Sequence, residues 1–439
     1  MDKFYKIITF GCQMNVHDSE KLAGVLEQKG FKATGDDSQA DIIVFNTCCI
    51  RHTAERKALG NILAYRQKKE KRPGLILAVV GCMSQQPEIN KLLSETYPFI
   101  DIVLGTGSVR AFSDAMDAII NKGGNFHYRM TEDMPVIEEG YPLARSGGAN
   151  AWLDITYGCD NFCSYCIVPY VRGRERSREA SVILKEAESL ISQGYKEITL
   201  LGQNVNSYFH NGVDFAGLLE RVASLEGDFR IRFMTSHPKD FSQKVADIIA
   251  SYDKICKYIH LPIQSGSNNI LKKMNRKYTR EHYLSLIDLI REKMPQAGIS
   301  TDIMVGFPGE EEQDFVDTLD LVRQVRFSSA FTFKYSRRKG TAADKMDKQV
   351  PETVKTERIE QLIKLQNEIT AEQSRLFVGK TVRVLVEDVS GREEDTVCGR
   401  EDSGRLVNIK GAKDRIGQFC DVEITNAKSA SLWGRIANG

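Results

Sequence analysis

Three successive changes of hydrophobic rhythm predict an α/β chain: an N-terminal Rossmann-like parallel sheet, a central partial (βα)6 barrel of the TIM type, and a small C-terminal β-barrel. Apolar strand-like runs alternate with helical patterns from Tyr5 to about Ile120. A second alternating series opens at Leu153 and supplies six strand candidates. After about Ser374 the pattern changes to short β runs split by Gly and charge. Repeated strand-helix units imply parallel sheets, whereas short strands between turn residues imply a sandwich or barrel. A length of 439 residues, at roughly 150 residues per domain, favours about three domains. The boundaries read 1–122, a linker at 123–144, then 145–374 and 375–439.

In the first block, KIITF leads to a helix near His17 to Lys29 and DIIVF to one near Thr53 to Lys69, while LILAVVG and DIVLG each precede a further candidate helix. Three strands run into cysteine. ITFGCQMN places Cys12 after the first, VFNTCC places Cys48 and Cys49 after the second, and AVVGCMSQ places Cys82 after the third. Ligands of open α/β sheets bind at the carboxyl ends of strands, so cysteines remote in sequence can meet at one edge. Taken singly, each is the small apolar residue that cores commonly bury. Successive strand residues face opposite ways, so only one of Cys48 and Cys49 should reach a shared site. Lys122 to Gly148, rich in Gly, Pro and charge, reads as an irregular linker.

In the second block the strand candidates are LDIT, EITLLG, IRFMT, YIHLPI, ISTDIMVG and AFTFKY, with helices such as Arg178 to Gln193, Thr279 to Lys293 and Glu311 to Val325. Functional residues of such barrels lie at strand C-termini and in the loops that follow. A charged helical stretch from Pro351 to about Ser374 precedes the last block, whose runs fit an oligonucleotide-binding type of barrel.

Hydrophobic content of 41% with 27% charged residues is that of a soluble globular protein. The N-terminal MDKFYKIITFGCQMN lacks the features of a secretory leader, and no apolar run approaches the roughly 20 residues of a membrane span, so a cytoplasmic protein without membrane contact is expected. A net charge of +1 gives no global attraction to nucleic acid, which leaves only local basic patches. Ten cysteines in a cytosolic chain argue for metal, cluster or catalytic roles rather than a disulfide framework.

YGCDNFCSYC follows the first barrel strand and sets Cys159, Cys163 and Cys166 at CxxxCxxC spacing. A structural zinc site closes with four ligands, and a disulfide set is even in number. Three soft thiolates suit three irons of a 4Fe-4S cluster, leaving the fourth open; zinc completed by a distant histidine is the rival. CxxxCxxC with Tyr165 before the last cysteine resembles the signature of radical S-adenosylmethionine (SAM) enzymes. The resemblance implies that the methionine end of SAM chelates the open iron and that the reduced cluster cleaves it to a 5′-deoxyadenosyl radical. FGCQMN, NTCCIR and GCMSQ, in that order before this loop, resemble the radical SAM methylthiotransferase family over essentially the whole chain. This implies a second, auxiliary 4Fe-4S cluster on Cys12, Cys48 and Cys82, with Cys49 a spectator. It also implies sulfide or cluster-bound sulfur as donor, two SAM molecules per turnover, and a reducing partner such as flavodoxin or ferredoxin.

Polar residues at barrel strand ends are candidate SAM ligands: Gln203 and Asn204, Ser236, Gln264 and Asp302, with Tyr165 beside the last cysteine. Arg174 in VRGRERSR could pair with the methionine carboxylate, or be one of four exposed arginines. VRGRERSR, LKKMNRKYTR and FSSAFTFKYSRRKG combine cations with aromatics, as unstacked RNA bases require, although a solvated charged face explains them equally on composition. The C-terminal barrel resembles the TRAM domain, a small RNA-binding module, yet its basic and acidic residues nearly balance, so patches or shape must carry any affinity. Within the family, FGCQMN with NTCCIR looks most like the branch acting on N6-isopentenyladenosine at position 37 of tRNA, beside the anticodon. The branches acting on threonylcarbamoyladenosine or a ribosomal-protein aspartate, and a non-catalytic metal-containing RNA-binding protein, are the alternatives. A monomer is expected.

Overall fold

The run Ile42–Thr47 is buried at every position, as a central parallel strand covered on both faces must be. A computed structural model of the chain describes residues 2–49, 52–107, 109–122, 128–130, 137–145, 147–391 and 393–437. The chain forms two compact units. One comprises residues 1–146 with 157–160 and 166–176, and the other residues 147–156, 161–165 and 177–439.

The first unit holds a six-stranded parallel sheet in the order Phe31–Ala33, Lys3–Thr9, Ile42–Thr47, Ile76–Gly81, Ile102–Leu104 and Tyr128–Met130. Alternation decides which face each residue serves. Val44 and Val80 enter a core with Phe112, while their neighbours Ile43, Phe45 and Val79 enter a second core with Ile62 and Leu93. All four expected strands form, and short Phe31–Ala33 adds an unexpected edge. The helix expected over Thr53 to Lys69 divides at Tyr65 into His52–Ala64 and Arg66–Lys71. Within the segment read as a linker, Tyr128–Met130 instead pairs with Ile102–Leu104 as the sixth strand; positions 123–127 and 131–136 of that segment lie outside the described residues.

In the second unit all six expected barrel strands appear, as two parallel sheets. Asn150–Asp154, Glu197–Leu201 and Arg230–Phe233 make one; Tyr258–His260, Gly298–Val305 and Ser329–Lys334 make the other; a bridge between Ile231 and Ile255 links them. Ile198, Leu200, Ile231, Phe233, Ile259 and Ile303 pack with the helices in the largest core. The intervening positions are polar and buried: Glu197, Thr199, Arg230, Arg232, His260 and Ser300. Helix starts match the expectation closely. Thr279 caps Arg280–Lys293 by accepting from the His282 amide at 3.3 Å, and Glu311 and Asp314 form a capping box for Glu312–Val325.

Thr381–Val389, Thr396–Glu401, Leu406–Lys410, Phe419–Ala427 and Ser431–Ile436 close the C-terminal barrel. It is seated against the N-terminal ends of the larger barrel's strands. Arg230 Nη1 donates to the Arg400 carbonyl at 2.8 Å and Arg232 Nη2 to the Glu401 carbonyl at 2.8 Å, while both Nε atoms reach Glu197 Oε2 at 2.7 Å. Burial opposes the charge on Glu197, but Arg232 and Arg230 outweigh it and hold the carboxyl below its ordinary range. This leaves the opposite, C-terminal ends of the strands for chemistry. No described helix is long and apolar enough to cross a membrane.

Candidate metal centres

In the first unit, the ends of three adjacent strands carry Cys12, Cys48 and Cys82. The ladder extends beyond them: Phe10 N donates to Asn46 O at 2.8 Å and Cys82 N to Thr47 O at 3.0 Å. Gly11, at φ +119°, could not be any other residue, since a Cβ there would lie 2.5 Å from Cys48 Cβ and 2.9 Å from its Sγ. Gly81, at φ +101°, meets the same limit, with Thr47 O 2.5 Å away. The glycine before Cys12 is thus what lets Cys48 come alongside.

Two fully buried asparagines lock these strand ends together. Asn15 Nδ2 donates to Thr47 O at 2.9 Å and to Asn46 Oδ1 at 3.3 Å; Asn46 Nδ2 donates to Asn15 O at 2.7 Å and to Ser19 Oγ at 2.9 Å. Cys12 caps the helix Gln13–Gln28, and its thiol donates to Asn15 Oδ1 at 3.6 Å. Buried Arg172 completes the network: Nε donates to Cys82 Sγ at 3.3 Å, and Nη2 to Asn15 Oδ1 at 3.3 Å and Asp18 Oδ2 at 2.9 Å. A hydrogen bond from Cys49 and, against burial, the Arg172 charge pull the Cys82 thiol down to about 6. Cys49 packs with Cys82, Ile167 and Val171. The alternation that would turn Cys49 away does not apply, because the strand ends at Thr47 and neither cysteine is in extended ladder. A cleft beside this site is lined by Asp18, Lys21, Thr106, Tyr157, Arg172 and Arg176.

The CxxxCxxC loop is divided between the units: Cys159 and Cys166 belong to the first and Cys163 to the second. In the first, Cys159 N donates to Gly173 O at 3.2 Å. Arg174 lies exposed and pairs with Asp160 at 3.1 Å. The arginines of VRGRERSR are not alike: Arg172 is buried against Cys82, and Arg178, in the second unit, is buried with Nη1 on Asp154 O at 2.7 Å.

Within the second unit, the segment after Asn268–Lys273 clasps Cys163 and its neighbours. Ser164 N donates to Met274 O at 3.0 Å and Ser164 Oγ to Lys273 O at 2.9 Å, while Asn275 Nδ2 donates to Phe162 O at 2.9 Å. Arg276 Nη1 donates to Cys163 Sγ at 3.3 Å. Its Nε is held by Tyr278 Oη at 2.7 Å and its Nη2 by Pro262 O at 2.9 Å. Burial, then the Arg276 charge, push His237 down to about 2, so its ring, 5.5 Å from that of Tyr278, is neutral. LKKMNRKYTR, read as a basic surface run, therefore places its central arginine inside.

Gln203, Asn204, Ser236 and Gln264 lie beyond the C-terminal ends of barrel strands, whereas Asp302, expected at a strand end, stands inside Gly298–Val305, whose ladder runs on to Val305. Tyr165 packs against Ile270, Met274, Phe307 and Tyr335. Gln264 takes φ +71° and is tied through its backbone amide to Asp302 O at 2.9 Å, and Asp302 Oδ2 stands 3.7 Å from His260 Nε2. Gln203 is half-buried after Glu197–Leu201. Asn204 Nδ2 holds Asp240 at 2.7 Å, yet Asn204 Oδ1, Ser236 Oγ, Thr156 Oγ1 and the Asn206 amide are buried without a hydrogen-bond partner. An orphaned buried polar group costs about 1–3 kcal/mol, so their concentration here fits a polar ligand such as SAM. The thiolate sets, each with a buried guanidinium on one sulfur, fit anionic clusters. Among the described residues, no three His, Cys, Asp or Glu side chains converge tightly enough to hold a single metal ion. Asn15, Asn46, Arg172 and Arg276 were not singled out by sequence, although the first two stand inside the FGCQMN and NTCC motifs.

Three family models match the chain: Uncharacterized protein family UPF0004 over residues 4–105, Radical SAM superfamily over 153–322, and TRAM domain over 375–437. Among solved structures, a radical S-adenosylmethionine methyltransferase, TsrM, from Kitasatospora setae matches with a TM-score of 0.57 at 16% identity, covering 78% of this chain and 74% of its own. The cobalamin-dependent S-adenosylmethionine radical enzyme OxsB matches at 0.51 and 14% identity, over 83% and 56%. Both are likenesses of fold. The tRNA-2-methylthio-N(6)-dimethylallyladenosine synthase of Thermoanaerobacter pseudethanolicus is 48% identical over 99% of this chain and 92% of its own length, and that of Clostridium botulinum is 50% identical over 98% and 96%. The corresponding synthase of Clostridium perfringens is 46% identical over 99% and 98%. With end-to-end identity at this level, the chain belongs to the tRNA-2-methylthio-N(6)-dimethylallyladenosine synthase family of radical SAM enzymes.

Proposed function

We propose that the chain installs a methylthio group at C2 of N6-(dimethylallyl)adenosine at position 37 of tRNA. The observation that carries this reading is the pairing, on one chain, of two separate three-cysteine sites with a full-length likeness to synthases of that name. When bound, reduced clusters and SAM supply the radical and the sulfur. The chain's own part is to hold and orient. Cys159, Cys163 and Cys166 hold the radical-generating cluster, and Cys12, Cys48 and Cys82 the auxiliary one. Asn204, Ser236 and Gln264 beyond the strand ends, with Asp302 inside its strand, orient SAM, supported by the orphaned polar atoms of Asn204 and Ser236. Tyr165 and Gln203 flank it, while the surface pairing of Arg174 with Asp160 favours a role for that arginine outside SAM binding. Lys21, Tyr157 and Arg176, lining the cleft beside the auxiliary site, offer the cations and ring face that an unstacked base and its phosphates require. The C-terminal barrel, residues 375–439, contributes to tRNA contact, and a flavodoxin- or ferredoxin-like donor supplies electrons.

The test is anaerobic reconstitution with iron, sulfide, reductant and SAM, followed by incubation with an isopentenylated anticodon stem-loop and mass analysis of its nucleosides. A 2-methylthio product is expected. Its absence from protein carrying both clusters would overturn the reading, and modification of a threonylcarbamoyl stem-loop or of a ribosomal protein instead would move the chain to another branch.

A further inference from the structure

Each three-cysteine site has one buried arginine whose guanidinium donates to one cysteine sulfur at 3.3 Å: Arg172 to Cys82 and Arg276 to Cys163. Neither faces solvent, with 6% and 8% of their surfaces exposed, so neither is placed to meet RNA. Taking a guanidinium out of water is costly unless anions and acceptors satisfy it. At both places a cysteine sulfur is one of those acceptors. The two differ in what else they meet. Arg172 also pairs with the Asp18 carboxylate at 2.9 Å. The other partners of Arg276 are neutral, Tyr278 Oη and the Pro262 carbonyl.

From this we infer that Arg172 and Arg276 are positioning residues that set the reduction potentials of the two clusters, each through the cysteine it touches. Reduction adds negative charge to a cluster, and a cationic donor on a ligand sulfur stabilises that charge, raising the potential. Asp18 cancels much of the field of Arg172, whereas nothing among the described neighbours cancels that of Arg276. The radical-generating cluster therefore gains more from its arginine than the auxiliary cluster does. Asp18 acts as the opposing charge.

The inference rests on the assignment of the six cysteines, so the test separates the two. Full-length protein carrying Cys12→Ala, Cys48→Ala and Cys82→Ala retains only the radical-site cysteines, and protein carrying Cys159→Ala, Cys163→Ala and Cys166→Ala only the auxiliary ones. Each background should bind about four irons; if it does not, the cysteine assignment fails. In loaded protein, potentials are read by electron paramagnetic resonance during redox titration. Arg276→Gln in the first background is expected to shift the potential negative by about 59 mV or more, tenfold in the one-electron equilibrium. Arg276→Lys, which keeps the charge, should recover part of the shift. In the second background Arg172→Gln should give a smaller negative shift and Asp18→Asn a positive one. Opposite signs at Arg172 and Asp18 are not what a purely structural role produces. Unshifted potentials in loaded Arg276→Gln and Arg172→Gln proteins would overturn the inference. Should a variant fail to load iron, the melting of its iron-free form decides: unchanged melting supports action on the cluster, and early melting assigns the arginine to packing and overturns it.

Discussion

The two cysteine triads are built on opposite kinds of local structure. Cys12, Cys48 and Cys82 come from the ends of three adjacent strands and are joined by side chains of other residues in the same motifs, Asn15 and Asn46. Cys159, Cys163 and Cys166 sit within one short loop, whose middle is clasped by a remote segment, Lys273 to Arg276. The first triad thus requires the sheet to be folded before any ligand can be shared. In the second, chain connectivity already keeps the thiols close, and tertiary contacts only choose their orientation. Loss of the sheet-end network should therefore cost more than loss of the clasp.

The largest contrast is chemical. Cys159→Ala is expected to abolish both 2-methylthio product and 5′-deoxyadenosine, whereas Cys12→Ala abolishes the product but leaves 5′-deoxyadenosine formation; chromatography of both products checks this, and product from either variant breaks the division of roles. Next is Asn15→Ala, which orphans buried Asn46 Oδ1 and removes one hydrogen bond each from Thr47 O and Arg172 Nη2. At about 1–3 kcal/mol for the unsatisfied group and about 1 kcal/mol for each further lost bond, destabilisation of about 3 kcal/mol or more is expected in chemical denaturation of iron-free protein.

On the clasp side the effect is smaller per pH unit, where His237 stands near uncompensated Arg276. Its ordinary value of 6.5 is depressed to about 2 in the fold. The unfolded chain therefore binds the proton more readily, so the stability this ring contributes is complete above pH 6.5 and is lost as pH falls toward 2. The slope is about 1.4 kcal/mol per pH unit. His237→Asn should flatten the acid limb of stability against pH between those values; an unchanged limb would remove His237 from the account. Smallest is Asn275, which stands at φ +58° and donates to Phe162 O. Asn275→Ala should cost about 1–2 kcal/mol by losing the bond and forcing Cβ into the left-handed region, and Asn275→Gly less, because only the bond is lost. Equal losses would show that backbone strain plays no part in the clasp.

Much of this architecture was legible because it is written in periodicity. Runs such as DIIVF and EITLLG alternate with amphipathic helices, and all ten of the expected sheet and barrel strands form. What escaped notice were Phe31–Ala33 and Tyr128–Met130, three-residue edge strands too short to show a period. The placing of Cys12, Cys48 and Cys82 just beyond the ends of three adjacent strands followed from the strand pattern. The placement of Cys49 did not, since alternation holds only while the ladder continues, and the ladder stops at Thr47.

Sequence by itself determined the kinds of element, their order, and the soft donors the cysteines offer, because period, turn residues and side-chain chemistry are local properties. Only the tertiary structure decided which charges are spent inside. Arg172 and Arg276 stand in runs that look like solvated basic faces, and their neighbours in the chain do not distinguish them from Arg174 or Lys277. They are buried where Cys82 and Cys163, remote in sequence, bring a sulfur acceptor to each guanidinium. A charge can leave water only where the fold brings it acceptors, and that meeting is a long-range event no local pattern records.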